Sequence, residues 1–377
     1  MQSIALKFMK EKKEGAGEDS PSLFFESKDF VSTGVFDGMG GAGSKPCKDD
    51  DGKIHSMAYI ASRITENAIE NYLADIQAPV QISSSSLKAI VVNRFKQEKE
   101  KHPPEGSSIR SKLIRDYPTT MALSLAYLDA NSKYTIQSFW AGDSRNYLWT
   151  ADGFAQISQD DLVGELDPLE NLCKGARMSN CLCADRDFDI HEKKIENVCV
   201  PFILFSTTDG CFDCFPSPMH FQKMLQNTLS ESSDSEEWCK KIEYAITNIA
   251  SDDISLSLVA VGFENFESLK KILSKQNEIL QELPDSTLEC KKIWERYKIG
   301  YMRYLDGRTE IVKNKNKENQ KIISKDARND IRKPLVRKKS LPPKAYYNFK
   351  RYFLIWEKSI IRFIKRFLII GTLFKQK

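Results

Sequence analysis

Apolar and polar residues alternate in two different rhythms over the first 263 positions. ISLSLVAV, at 254–261, has the period of two that predicts a strand. TTMALSLAYLD (119–129), YTIQSFWAGDS (134–144), RNYLWT (145–150), FAQIS (154–158), NVCVPFILFSTTDG (197–210) and DDISLSLVAVGF (252–263) all read as strand, with Asn131 and Asp152-Gly153 supplying turns. Residues 56–75 instead place apolar side chains three and four apart, which predicts a helix. A second helix is predicted over 87–101, behind the serine run that follows Ile82. Many antiparallel strands with helices gathered between some of them point to an α+β sandwich rather than a doubly wound parallel sheet.

Beyond 263 the strand rhythm stops. Residues 264–310 read as two helices on either side of Pro284, and 311–345 as a Lys- and Arg-rich linker broken by Pro334, Pro342 and Pro343. Residues 346–377 read as a basic amphipathic helix. Lys358, Arg362, Lys365 and Arg366 share one face, and Ile360, Ile361, Ile364, Phe367 and Leu368 the other. Its longest uncharged run, Phe367 to Phe374, is far short of the ~20 residues that span a bilayer. Such a helix is expected to pack on its own body, in a partner's groove, or on an anionic membrane surface.

The net charge of +4 hides an asymmetry. Residues 264–377 hold 29 Lys and Arg against 13 Asp and Glu, and the rest of the chain holds 27 against 39. An acidic body with a basic tail implies an acidic partner for the tail, with a membrane or protein favoured over nucleic acid. The opening MQSIALKFMKEKKEG has no long apolar core, and the nine cysteines form no disulfide framework. A cytoplasmic protein with reduced thiols is expected, the tail giving it access to a membrane surface. Cys181/Cys183 and Cys211/Cys214 have spacings used by redox or metal sites, but sit in apolar runs and read as packing residues. The acidic loop 48–52 lacks the alternating spacing of a calcium loop and reads as a solvated turn.

The candidate chemistry lies where apolar runs stop. Asp37 sits in GVFDGMGGAG, Asp143 in WAGDSR, Asp209 in FSTTDG and Asp252 in ASDDISL, with Glu18-Asp19 in GAGEDS. Carboxylates seldom end buried strands without a reason. Strands lying side by side would gather these acids in one pocket, where they repel unless protons or cations compensate. An oxygen-only set, with no His or Cys in these motifs, favours magnesium or manganese over zinc.

In order, GVFDGMGG, PTTMALSLAYLD, WAGDSRNYL, FSTTDGCFD and DDISLSLVAV resemble the successive motifs of the metal-dependent protein phosphatases of the 2C type, over about residues 15 to 263. The resemblance implies a four-layer α-β-β-α sandwich as the catalytic domain, 1–263. It also implies two magnesium or manganese ions bridged by a water, and direct hydrolysis of phosphoserine and phosphothreonine in proteins. By the same resemblance Asp37 bridges the ions, Gly38 offers its carbonyl, and Asp209 and Asp252 are the other direct ligands. Asp253 stands where asparagine is usual. Glu18 and Asp19 match an acidic pair that holds metal-bound water, Asp143 matches the ligand of a weaker third ion, and Thr119 and Thr120 match strand packing near the site.

Three positions depart from the pattern. Met39 replaces a histidine found in many eukaryotic members, and Glu14 stands where an arginine often holds the substrate phosphate, with Lys12 and Lys13 nearby. The segment 160–197 matches poorly. Two readings follow: an active Ser/Thr phosphatase working opposite a cognate kinase, or a pseudophosphatase or scaffold that binds a kinase or membrane surface through its tail.

Overall fold

The computed structural model describes residues 3–305 apart from 77, 103–113, 130–131, 165–166, 175, 274–277 and 282. The linker and amphipathic helix expected over 311–345 and 346–377 lie outside the described residues. The strands are β1 (Ser3–Lys10), β2 (Leu23–Glu26), β3 (Phe30–Val35), β4 (Pro46–Lys48), β5 (Ile54–Ser56), β6 (Met121–Leu128), β7 (Tyr134–Ala141), β8 (Arg145–Thr150), β9 (Gly153–Gln156), β10 (His191–Val198), β11 (Phe202–Thr207) and β12 (Ile254–Val261). One antiparallel sheet runs β1-β12-β11-β8-β9 and the other β10-β7-β6-β3-β2, with β4 and β5 as a separate hairpin.

Helices cover both outer faces. α1 (Met57–Asp75) and α2 (Ser84–Lys101) pack on the β6 sheet, where Leu123, Leu125 and Phe139 meet Ile60, Ile69, Leu87 and Val91. Each starts on a serine cap: Ser56 accepts from Tyr59 N, and Ser83 forms a reciprocal box with Ser86. The short α3 (Pro168–Lys174) precedes β10. The β12 sheet is covered by α4 (Pro218–Ser230), α5 (Ser235–Thr247), α6 (Phe266–Leu273), α7 (Glu278–Gln281) and α8 (Thr287–Tyr301). This is the expected α+β sandwich. Among the described residues, no helix is long and apolar enough to cross a membrane.

Period-two patterning sorts residues between the layers. In β12, Leu256 and Leu258 point to the helices, while Val259 and Val261 enter the cluster between the sheets. Part of that inter-sheet layer is polar. The Ser206 hydroxyl donates to Asn146 Oδ1 at 2.6 Å and lies 3.1 Å from Thr33 Oγ1. The Asn146 amide donates to the Leu123 and Phe139 carbonyls and to Ser138 Oγ. A buried amide so fully partnered fixes how the two sheets register.

Two elements differ from the expected pattern. The apolar run 197–210 is divided: β10 ends at Val198 and β11 begins at Phe202, because Pro201 has no N–H to give a sheet ladder. The helix expected before Pro284 is two, α6 and α7. α6, α7 and α8 all contribute to the layer over the β12 sheet, with Trp294, Tyr297 and Tyr301 buried in one cluster with Tyr147 and Phe154.

Candidate active site

Strand direction brings the acids to one end of the sandwich. β3 and β7 both pair antiparallel with β6, so they run parallel to each other. Val35 pairs with Ala122 and Ala141 with Met121, which sets Asp37 and Asp143 beside the start of β6. In the other sheet Thr207, at the end of β11, pairs with Leu256 near the start of β12. Asp209 and Asp252 therefore hang from adjacent strand ends.

The acids feel one another. Burial first, and then the charges of Asp19, Asp209, Asp143 and Asp252, push the Asp37 carboxyl well above the usual carboxylate range. Burial and Asp209 do the same to Asp143, and burial and Asp252 raise Asp209. Asp37, Asp143 and Asp209 remain partly exposed residues. Asp19 is buried and held by the hydroxyls of Ser255 (2.7 Å) and Thr208 (3.1 Å); burial first, then Asp253 and Asp209, push it up to about 8. Asp252 is exposed. Glu18 faces α1 instead, taking a hydrogen bond from the Ser56 hydroxyl, though Asp253 and Asp252 still act on it.

Backbone contacts hold this geometry. The Asp37 carbonyl accepts from Thr119 Oγ1 and Thr120 N, both at 2.8 Å, so the two threonines fasten the Asp37 turn. Gly38 has no room for a side chain: a Cβ would lie 2.5 Å from the Ala58 carbonyl oxygen and 2.7 Å from that of Glu18. Asp253 accepts Lys12 N on one carboxylate oxygen (2.7 Å) and Glu18 N on the other (2.6 Å), pinning both ends of the loop before the acidic pair. An asparagine could accept only one of these. Lys12 Nζ donates to the Ala250 carbonyl at 2.5 Å, so this candidate phosphate ligand is already engaged. The four histidines bond elsewhere: His55 to Asp49, His102 near Glu98 and Asp50, His191 to Asp161, and His220 to Ser217.

The donor set fits a hard divalent cation. It is all oxygen, it carries mutual repulsion that a cation would relieve, and Asp143 Oδ1 is buried without a hydrogen-bond donor. Among the described residues no three His, Cys, Asp or Glu side chains converge as a ready-made metal cage. The arrangement suits an ion that keeps several waters and takes one or two carboxylates, as magnesium does.

Residues that the motifs did not mark support the floor. Arg145 and Asp160 form a buried bidentate ion pair at 2.9 and 2.6 Å, with Phe212 stacked 3.9 Å from the guanidinium carbon. Arg145 also opposes the upward push on Asp209 and on Asp213, the latter raised to about 7 mainly by burial and Asp209. Asp161 takes hydrogen bonds from Gly142 N (3.0 Å) and Asn180 (2.7 Å) and contacts His191 (2.8 Å), strapping the poorly matching segment to the residue before Asp143. Arg145 follows directly on GDS, which was the only signal available. Replacing Arg145 by Ala is expected to destabilise the protein by about 3–5 kcal/mol, because Asp160 is left charged and buried. Urea unfolding measures this, and the volume-matched pair Arg145→Met with Asp160→Leu should recover most of it; an unchanged midpoint for Arg145→Ala would rule the ion pair out as a structural centre.

No protein-family model matches the sequence, and no curated protein matches it either. Solved structures do. The chain is similar to a bacterial serine phosphatase at 16% identity and a TM-score of 0.50, the likeness covering 69% of this chain and 98% of that one. The serine/threonine phosphatase Stp1 from Staphylococcus aureus is similar at 14% identity and a TM-score of 0.49, over 70% of this chain and 96% of its own. The serine/threonine phosphatase PstP/Ppp of Mycobacterium tuberculosis is similar at 15% identity and a TM-score of 0.48, over 68% and 98%. The first likeness shows that the fold is shared.

Proposed function

We propose that the protein is a magnesium- or manganese-dependent protein serine/threonine phosphatase whose substrates are phosphorylated proteins. The observation that carries this reading is the gathering of Asp19, Asp37, Asp143, Asp209 and Asp252 at one end of the sandwich, mutually repelling and with an undonated buried oxygen on Asp143. The fold shared with a bacterial serine phosphatase supports it. Asp37, the Gly38 carbonyl, Asp209 and Asp252 would hold two cations, Asp143 a third, and Glu18 and Asp19 their water. Such cations supply Lewis acidity toward phosphoryl oxygens and acidify water.

The chain's own residues do the positioning. Thr119 and Thr120 fix the Asp37 turn, Asp253 fixes the loop carrying Glu18 and Asp19, and Thr208 and Ser255 orient Asp19. With Met39 after Asp37-Gly38 and all four histidines placed elsewhere, solvent gives the proton to the departing serine or threonine oxygen. The basic tail is assigned a localising role, on a membrane surface or a partner such as the cognate kinase.

A non-catalytic scaffold is the competing reading, favoured by Glu14 and by the engagement of Lys12 with Ala250. Incubation of the full chain with a phosphothreonine peptide separates the two. Phosphate release that needs manganese or magnesium and stops with chelator is expected. Calorimetric manganese binding without phosphate release would favour the scaffold, and neither binding nor release would sink the metal site itself.

A further inference from the structure

Two cysteines lie outside everything the carboxylate site uses. Cys181 and Cys183 flank Leu182, which exchanges both backbone hydrogen bonds with Thr119 at 3.0 Å. Leu182 is buried in the core beneath α1 and α2, so by alternation its neighbours share the opposite face. Both side chains therefore stand on one side of the segment, against Arg186. Arg186 Nη2 lies 3.7 Å from Cys181 Sγ, and the Arg186 carbonyl 3.9 Å from Cys183 Sγ. Both cysteines are buried, but Arg186, which contacts both, is an exposed residue in a bend.

We infer that Cys181 and Cys183 form an oxidant-reactive dithiol, a modification site for hydrogen peroxide that closes to an intrachain disulfide. Cys183 is the attacking sulfur: the neighbouring Cys181 thiol holds it down at about 7, whereas Cys183 and burial raise Cys181. Its thiolate forms an S–O bond as the peroxide O–O bond breaks and hydroxide leaves. The Cys181 sulfur then displaces the sulfenic oxygen, forming the S–S bond as the S–O bond breaks, and water leaves with the thiol proton. Two sulfurs lose two electrons in all, and one peroxide is reduced to two waters.

Closure reaches the carboxylates. Alternate Cα atoms of an extended segment stand roughly 6.6 Å apart. That is the far end of the ~4.4–6.8 Å range of disulfides. Forming the bond therefore contracts the chain around Leu182 and pulls on its pairing with Thr119, whose hydroxyl holds the Asp37 carbonyl at 2.8 Å. The modification chemistry stands by itself; its effect on turnover rests on the phosphatase reading.

The test uses the reduced full-length protein, graded hydrogen peroxide, alkylation of remaining thiols and peptide mass mapping. The expected result is loss of both alkylation sites in the 181–183 peptide with a two-hydrogen mass decrease, reversed by dithiothreitol. Cys181→Ser should stop at a sulfenic acid on Cys183 that dimedone traps, and Cys183→Ser should leave Cys181 alkylatable. If Cys181 and Cys183 stay alkylatable after the exposed Cys199 is oxidised, or pair with other cysteines, the inference is overturned. Phosphopeptide turnover is followed in the same samples. Activity falling in step with the disulfide supports the link to Asp37, and unchanged activity with the disulfide formed refutes that link alone. Absence of activity before oxidation counts against the phosphatase reading and leaves the mass result to decide the site.

Discussion

Freed of metal, an Asp37→Asn protein should melt at a higher temperature than the unaltered chain, while the proposed phosphatase activity falls about 10³-fold or more. The two effects have one cause. Asp37 is crowded by burial and by four other acids, so its charge is costly until a cation arrives. Asparagine removes the charge and keeps the shape. The contacts that fasten the turn use the Asp37 backbone, so they survive the change. The pH dependence has a definite sign. A carboxyl whose folded pKa lies above its unfolded value contributes stability that is complete at low pH and is lost as pH rises through the folded value, which for neighbouring Asp19 is about 8. Metal-free unaltered protein should therefore lose stability between about pH 4 and pH 8. The Asn variant should lose less, with a gap at pH 8 of roughly 2 °C or more. Adding manganese should reverse the ranking, because a ligand that binds only the native state raises its melting temperature. Differential scanning fluorimetry at several pH values reads all of this. A variant that melts lower than the parent at every pH without metal would make Asp37 a structural residue and remove it from the cation site.

Ending the chain at residue 263, where the strand pattern stops, should abolish cooperative folding, whereas ending it at 310 should preserve it. The helices after 263 complete a core. Leu269, Leu273, Leu280, Cys290, Trp294, Tyr297, Tyr301 and Leu305 are all buried, and they cover Tyr147, Phe154, Leu225 and Trp238. Tyr301 sits 6.2 Å from the Tyr147 ring and 6.0 Å from that of Phe154, and its hydroxyl donates to Tyr147 Oη at 3.3 Å. Trp294 Nε1 donates to Asp167 at 2.8 Å, and the Tyr297 hydroxyl bonds Gln222. Each large apolar side chain stabilises by about 1.5–3 kcal/mol on burial. Seven of these, all but the smaller Cys290, together match the ~5–15 kcal/mol by which a domain is stable. Solubility and calorimetric melting of the two fragments give the answer; a 1–263 fragment with a sharp, reversible transition would show α6–α8 to be an appendage.

How much of this could be read from the residues depended on whether a position's role is local. ISLSLVAV, MALSLAYL and the acids at strand ends announced themselves, because alternation and chain punctuation are written within a few residues. β10 did not: HEKKIENV carries four charged residues and a histidine and, as an edge strand, needs little apolar patterning. Asp160 and Asp161 lay in a segment with no recognisable motif, since their partners Arg145, Gly142 and His191 are brought to them by the tertiary fold. Asp253 looked like a substitution for asparagine. Its use appears only when Lys12, 241 positions earlier in the chain, folds back onto it. Gly38 was expected to free a carbonyl for a cation, and the close approach of Ala58 and Glu18 requires glycine there in any case.

The pairing of β1 with β12, Ser3 opposite Val261, also has a consequence in time. At roughly 5–20 residues per second of synthesis, some ten to fifty seconds separate the first strand from its neighbour in the sheet. Every strand of the β6 sheet has emerged by residue 198, so that sheet can close while β1 still waits. Asp37 and Asp143 belong to the early sheet, Asp209 and Asp252 to the late one. The repelling carboxylates are thus brought face to face late, after the β6 sheet is formed and with α6–α8 still to dock.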